Sequence, residues 1–269
     1  MDSFGKHLME VSQRTNRLCV GIDPHPYLLE EWGVDLREFS QICVEAFAGR
    51  VAMVKPQVAF YEAEGARGFS ILEETIGRLR EAGTLVLADA KRGDIGSTMA
   101  AYSRAWLGQG APLEVDAVTL SPYLGVGSLT PAFDLAAENG KGVFVLGATS
   151  NPEAPTVQGC VTSDGVTLAE DVIGRVDALN KKHFAGEDLG SFGMVFGATV
   201  SLDANIGAFT GPVLLPGVGA QGATVEDVNR LMRGNVDRAF PNISRALLSH
   251  GPNVAELQKE CDSLAGSLS

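Results

Sequence analysis

The sequence is poor in positive charge and in side chains that bind metals. Lysine and arginine number 21 against 33 aspartate and glutamate residues, giving a formal net charge of −12 at pH 7. Non-specific binding to nucleic acids needs a basic surface, so this balance argues against a nucleic-acid partner. The four histidines and four cysteines show no metal-ligand spacing, and we expect no metal site.

Long apolar runs are absent too. No stretch reaches the roughly 18 apolar residues of a membrane span, and residues 1–10 lack the basic-then-apolar layout of a secretory signal. The cysteines at positions 19, 43, 160 and 261 are scattered, which is typical of free thiols in a reducing compartment. We therefore expect a cytoplasmic protein that does not bind a membrane.

What the sequence does contain is a series of short apolar runs separated by stretches of helical period, such as 36–47 and 71–79. Continuous apolar strands that alternate with helices predict parallel pairing with both faces buried. The runs are 18–22, 51–54, 84–88, 115–120, 143–146, 194–196 and 213–215, with a weaker eighth at 236–240.

Alternating strands and helices leave two main folds, a doubly wound sheet or a barrel. Eight repeats in 269 residues favour the α/β class and a (β/α)8 TIM barrel that forms a single domain over residues 1–269. One segment interrupts the pattern. Residues 149–165 are rich in proline, serine, threonine and glycine, and we interpret them as a loop inserted after the fifth strand.

Charged residues follow the first three predicted strands, where a barrel of this type has its active site. Asp23 follows the first, Lys55 the second, and Asp89 and Lys91 the third. Asp89 and Lys91 are two residues apart, so on an extended chain their side chains point the same way. They form either part of an active site or a structural ion pair. Asp94 has three possible roles: reaching back into that pocket, capping the next helix, or crossing to another subunit.

A glycine-rich segment, PGVGAQG at residues 216–222, follows the seventh strand, and Arg245 follows the eighth. Barrels often bind phosphate with the loops after strands seven and eight. Glycines let backbone amides approach an anion, and an arginine can clamp a phosphate with two hydrogen bonds. The alternative is an ordinary turn beside an arginine on a solvated helix, but the coincidence at both strands favours a phosphate pocket.

Several of these segments resemble one enzyme family. DAKRGDIGST (89–98), LPGVGAQG (215–222) and VKPQVAFYE (54–62) are similar to segments of the orotidine 5′-phosphate decarboxylases, and ATSNP and NISRALL resemble their type II, bacterial branch. The resemblance implies decarboxylation of orotidine 5′-phosphate to uridine 5′-phosphate, the last step of de novo UMP synthesis, without a cofactor.

The resemblance also implies roles for individual residues. Lys91 would donate a proton to C6 of the pyrimidine, and Asp89 would lie beside the departing carboxylate. Asp94 would come from the partner subunit of a homodimer, with Ile95 and Thr98 alongside. The remaining residues would complete the charged network or bind ribose, pyrimidine and phosphate: Lys55, Asp23, Ser150, Pro216, Gly217, Gly219, Gln221 and Arg245.

Two other functions remain as alternatives. The first is a magnesium-dependent sugar-phosphate decarboxylase or aldolase of the same suprafamily. Such enzymes resemble this chain but carry an acidic metal ligand after strand two, where this sequence has Lys55. The second is a non-catalytic sensor of a phosphate ligand, which would need the phosphate loop and Arg245 but not three charges at residues 89, 91 and 94.

Overall fold

The computed structural model describes residues 2–200, 206–218 and 224–267. Eight parallel strands follow one another around a closed barrel, with each strand paired to its neighbour in the chain and β8 paired to β1. The strands are β1 (Cys19–Ile22), β2 (Met53–Pro56), β3 (Leu85–Arg92), β4 (Ala117–Leu120), β5 (Gly142–Ala148), β6 (Phe192–Phe196), β7 (Val213–Pro216) and β8 (Ala239–Ile243).

Helices connect the strands and surround the barrel, so the predicted (β/α)8 architecture is confirmed. Among the described residues, no helix is both long and apolar enough to cross a membrane. The helices are α1 (Phe4–Arg14), α2 (Pro26–Trp32), α3 (Leu36–Phe47), α4 (Val58–Glu62), α5 (Gly65–Glu81), α6 (Gly96–Leu107), α7 (Thr130–Glu138), α8 (Ala154–Gln158), α9 (Leu168–His183), α10 (Val225–Met232), α11 (Arg245–Leu248) and α12 (Val254–Ser267).

The strands are buried because both of their faces are covered. Side chains that point outwards pack against the helices, and those that point inwards, including Met53, Leu87 and Phe240, fill the barrel. Helix α1 lies under the amino-terminal end, where Phe4 meets Phe144 edge to face at 6.1 Å between ring centroids. Large side chains therefore fill this end of the barrel, and the polar strand ends lie at the other.

The predicted eighth strand is wrong in position. Residues Val236–Arg238 form a 3-10 helix, and β8 extends over Ala239–Ile243. The strand contains Pro241 and Asn242, two residue types that are uncommon in strands. The predicted apolar run therefore ended at residue 240, before them. Pro241 is opposite Leu215 of β7, and Asn242 is opposite Pro216.

The segment 149–165 follows β5, as the sequence predicted, but it is not entirely irregular. It contains the short helix α8 (Ala154–Gln158), and Val161 forms an isolated bridge with Thr167. Thr167 then begins α9 with a capping box, in which its hydroxyl accepts the Glu170 N–H while Glu170 accepts the Thr167 N–H. That this segment is an insertion stays a prediction.

Candidate active site

A cavity of about 280 Å³ opens at the carboxyl-terminal ends of the strands. Its charged lining consists of three cations and two anions, so it is locally positive in a protein of net charge −12. Such a cavity can attract an anionic ligand despite the overall charge. The predicted residues that line it are Asp23, Lys55, Asp89, Lys91, Ser150, Pro216, Gly217 and Arg245.

Asp89 is the centre of the charged network. Its Oδ1 accepts hydrogen bonds from Lys91 Nζ at 2.6 Å and Thr119 Oγ1 at 3.0 Å. Its Oδ2 accepts from Lys55 Nζ at 3.0 Å and Gln57 Nε2 at 2.8 Å. Burial by itself would raise the Asp89 pKa, but Lys55 and Lys91 outweigh burial and hold the pKa of this carboxyl well below its usual range. Asp89 is therefore an ionised group fixed by four donors.

Lys55 is buried at the end of β2, with 3% of its surface exposed. Its Nζ lies 3.0 Å from Asp89 Oδ2 and 3.7 Å from Asp23 Oδ1. Burial would lower the Lys55 pKa, but these two carboxylates outweigh it and raise the pKa above its usual value. Lys55 is thus a permanent cation between two acids.

Lys91 has an unusual backbone conformation. Its φ is +48°, in the left-handed region that residues other than glycine seldom adopt, and strain of this kind costs on the order of 1–3 kcal/mol and clusters at active sites. The side chain is nearly half exposed to the cavity mouth. Two residues later, a Cβ on Gly93 would lie 2.5 Å from the Ser121 carbonyl oxygen, so this close approach of β3 to the end of β4 requires glycine.

Asp23 lies at the boundary between β1 and β8. Its Oδ2 accepts a hydrogen bond from Ser244 Oγ at 2.5 Å. A Cβ on Gly21 would lie 2.6 Å from Ser244 Cβ, so a glycine there lets the two segments approach. The other oxygen, Oδ1, is buried without a hydrogen-bond partner in the described structure, although it faces Lys55. It is therefore available to accept a hydroxyl from a ligand.

The opposite side of the cavity provides donors for an anion. Pro216 ends β7, and Gly217 follows it with a φ of +99°. Arg245 begins α11, is exposed, and makes no ion pair with any residue of the described ranges. Gly219 and Gln221 lie outside the described residues. The described part of this region thus contributes one unpaired guanidinium and a glycine turn.

Three predicted residues do not reach the cavity. Asp94, Ile95 and Thr98 are absent from its lining, and within the described chain Asp94 makes no ion pair with Lys91. The prediction that Asp94 is the N-cap of the next helix is wrong, because the N-cap of α6 is Ile95. The Asp94 side chain instead accepts the Ile95 N–H through Oδ1, at 2.8 Å. Ile95 is 63% exposed. Within the described ranges none of the three makes a hydrogen bond or an ion pair with Asp89 or Lys91.

Several polar residues of the site were missed by sequence reasoning. Gln57 lies two residues after Lys55, and Asn242 and Ser244 are two apart at the end of β8; all three line the cavity. The period of two that paired Asp89 with Lys91 would have found them. Thr119 gave no signal, because it lies within the apolar run 115–120.

The comparisons with known proteins agree on one family. The model of the orotidine 5′-phosphate decarboxylase / HUMPS family matches residues 16–259. An orotidine 5′-phosphate decarboxylase of Corynebacterium efficiens is 54% identical over 95% of this chain and 93% of its own length. That of Streptomyces coelicolor is 50% identical over 98% and 96%. A crystal structure from Streptomyces avermitilis, assigned to the same enzyme, superposes with a TM-score of 0.94 at 46% identity and covers 100% of this chain and 95% of its own.

Proposed function

This chain belongs to the orotidine 5′-phosphate decarboxylase / HUMPS family, and we propose that it converts orotidine 5′-phosphate to uridine 5′-phosphate with Lys91 as the proton donor. The reaction makes it a carboxy-lyase of pyrimidine biosynthesis. The observation that carries the proposed role of Lys91 is its position. The ammonium lies 2.6 Å from a carboxylate that four donors hold in place, at the mouth of a cavity that Arg245 and the Gly217 turn line on its far side.

Decarboxylation leaves an electron pair on C6 of the pyrimidine, in an orbital orthogonal to the ring π-system. The ring cannot delocalise these electrons, so fixed electrostatics must stabilise them. The C6–carboxylate bond breaks, CO2 leaves, and the electron pair on C6 takes a proton from Lys91 Nζ. The resulting amine then takes a proton from solvent. An ammonium suits both tasks because it stabilises the negative charge before it transfers the proton.

Asp89 supports this role by holding the Lys91 ammonium in place with a hydrogen bond of 2.6 Å. Asp89 itself stays ionised, because Lys55 and Lys91 outweigh its burial and hold its pKa low. Asp89 would also face the substrate carboxylate, and loss of CO2 would relieve their repulsion. We treat that effect as secondary to stabilisation by Lys91, since electrostatic stabilisation is usually the larger contribution.

Substrate binding would use the rest of the cavity. We assign the phosphate to Arg245 and the amides after Pro216. The family resemblance adds Gly219 and Gln221, which lie outside the described residues. Asp23 has a buried oxygen free to accept a ribose hydroxyl, and Lys55 is beside it. Ser150, after β5, would contact the pyrimidine. The phosphate is remote from C6, so its binding energy can serve to close the loops and exclude water.

We further propose that the active protein is a homodimer in which Asp94, Ile95 and Thr98 complete the partner's site. Support comes from the surface around the ends of β3 and β4. Ile95 is 63% exposed, and Tyr123 and Leu124, after the neighbouring strand, are 82% and 54% exposed. Apolar side chains exposed together are typical of an interface. A second copy would cover them and bring a carboxylate towards Lys91.

The cytoplasm is the compartment that we propose for this enzyme. All four cysteines are free thiols, and three of them are buried. Burial raises the pKa of Cys19 to about 12, so this thiol stays protonated and unreactive. A protein whose thiols are neither paired nor activated suits a reducing compartment.

A metal-dependent enzyme of the same suprafamily is the nearest alternative. Lys55 argues against it, because its ammonium already engages Asp23 and Asp89 and would repel a divalent cation. A phosphate sensor without catalytic activity would not need the strained backbone at Lys91. Activity that persists fully in EDTA would separate the proposed enzyme from the metal-dependent alternative.

The decisive experiment replaces the proposed proton donor. In Lys91→Ala, we expect loss of orotidine 5′-phosphate in an absorbance assay to stop, while UMP affinity stays substantial because the phosphate and ribose contacts remain. Lys181→Ala, which removes an exposed lysine on α9, is the matched control and should behave as the wild type. Near-normal turnover by Lys91→Ala would refute the proton-donor role.

A further inference from the structure

We propose that Thr119 is a positioning residue for the decarboxylation, with a single hydroxyl that holds both the backbone of Lys91 and the carboxylate of Asp89. The inference rests on the proposed function of Lys91. Thr119 lies in β4 and is completely buried. Its Oγ1 is 2.8 Å from Lys91 N and 3.0 Å from Asp89 Oδ1.

The chemistry of the three groups determines the direction of both hydrogen bonds. A backbone N–H can only donate, and an ionised carboxylate can only accept. The Thr119 hydroxyl must therefore accept from Lys91 and donate its one proton to Asp89. The other side chains of the described residues that contact Asp89 belong to Lys55, Lys91 and Gln57, and each donates to it through a nitrogen atom.

The hydrogen bond to Lys91 replaces one that the sheet lacks. The register between β3 and β4 shifts between Ala88 and Arg92, so the left-handed residue at position 91 lies in an irregularity of the ladder. A backbone N–H that loses its strand partner must find another, and Thr119 Oγ1 supplies it. The hydroxyl thereby stabilises the strained conformation that directs the Lys91 side chain into the cavity mouth.

The hydrogen bond to Asp89 fixes the oxygen that Lys91 uses. Lys55 and Gln57 hold Oδ2, whereas Oδ1 is shared by Thr119 and Lys91. The Lys91 side chain is 46% exposed, so packing alone does not position it. Without Thr119, Oδ1 would be held by a long, mobile side chain only. The position of Nζ relative to C6 would then be less well defined.

Thr119→Val tests this role, because valine has nearly the same shape as threonine and lacks only the hydroxyl. Thr84→Val is the matched control. Thr84 is also buried, its Oγ1 accepts a backbone N–H from Gly49 at 2.6 Å, and it lies just before β3, at the opposite end of the strand from Lys91. Both variants leave a backbone N–H without its hydrogen-bond partner, so both should lose stability.

We expect the kcat of Thr119→Val to fall roughly 10- to 100-fold, since a displacement of about 1 Å of a catalytic group can have that effect. KM and the UMP dissociation constant should change little, because the phosphate and ribose contacts are untouched. Thr84→Val should lower the melting temperature but keep the wild-type kcat. Thr119→Ser, which restores the hydroxyl, should recover most of the lost kcat.

The outcomes distinguish this inference from the proposed function. An equal kcat for Thr119→Val and Thr84→Val would overturn the positioning role, and so would failure of Thr119→Ser to recover activity when it folds as well as the valine variant. If Lys91→Ala in the same assay is inactive, either of those results refutes only the role of Thr119. Turnover by Lys91→Ala would instead refute the proposed proton donor.

Discussion

Replacing Lys55 by methionine gives the sharpest test of the charged network. Methionine has a similar length but no charge, so the variant removes the cation and leaves the space filled. Asp23 and Asp89 would then lack the ammonium, which now lies 3.7 Å from Asp23 Oδ1 and 3.0 Å from Asp89 Oδ2. Asp89 would keep Lys91, whereas among the described residues Asp23 would keep the Ser244 hydroxyl alone.

The distances set the size of the effect. At an effective dielectric constant of about 20, Coulomb attraction is about 5.5 kcal/mol for Lys55 with Asp89 and about 4.5 kcal/mol for Lys55 with Asp23. Desolvation of the three charges offsets much of this in the wild type, but a variant without Lys55 leaves Asp89 with Lys91 alone and Asp23 without a cation among the described residues. We expect the free energy of unfolding at pH 7 to fall by about 3–5 kcal/mol.

The loss should depend on pH. In the wild type the Asp89 pKa is depressed below 3.8, so its ionised form adds stability above that pH, which is lost as the pH falls towards the folded-state value. Removing Lys55 raises the Asp89 pKa, so as the solution is acidified Asp89 takes up its proton at a higher pH in the variant than in the wild type. The difference in stability between variant and wild type should therefore be smaller at about pH 5 than at pH 7.

Urea denaturation at the two pH values measures this difference, and Lys141→Met is the matched control. Lys141 is a second buried lysine between two acids, 2.8 Å from Glu114 and 3.7 Å from Asp116, at the amino-terminal end of β5. Arg80 also pairs with both acids, so this variant should lose less stability. It should keep turnover, whereas Lys55→Met should lose it. Exposed ion pairs contribute up to about 1 kcal/mol. If Lys55→Met lowers the free energy of unfolding at pH 7 by less than that, the predicted contribution of Lys55 is refuted.

Two further predictions concern the phosphate group and the dimer. Arg245→Ala should weaken binding of UMP far more than binding of uridine, measured by calorimetry, because we propose that the guanidinium binds the phosphate, which uridine lacks; equal losses for both ligands would exclude the clamp. Mixing inactive Asp94→Ala and Lys91→Ala subunits should restore partial turnover, since a hybrid dimer contains one site with both residues intact. No recovery, with subunit exchange verified by mass spectrometry, would mean that Asp94 does not act across an interface.

Much of the fold was predictable from local pattern. Seven apolar runs became strands because a parallel barrel buries both faces of each strand, so its strands are apolar throughout. Helices over 36–47 and 71–79 followed from their spacing, and α3 and α5 contain them. The eighth strand was misplaced because Asn242 points into the cavity and Pro241 is an unusual strand residue. A functional strand end breaks the apolar pattern that identifies strands.

The sequence by itself determined which charges follow the strands, and the barrel then brings Asp23, Lys55, Asp89 and Lys91 into one cavity. Only the tertiary structure decided how they are held. The contacts of Thr119 with Asp89 and of Ser244 with Asp23 depend on the register between neighbouring strands. Register is a property of the closed barrel and not of any single strand, so no local pattern encodes it. The left-handed backbone of Lys91 arises in the same way, where the pairing of β3 with β4 shifts.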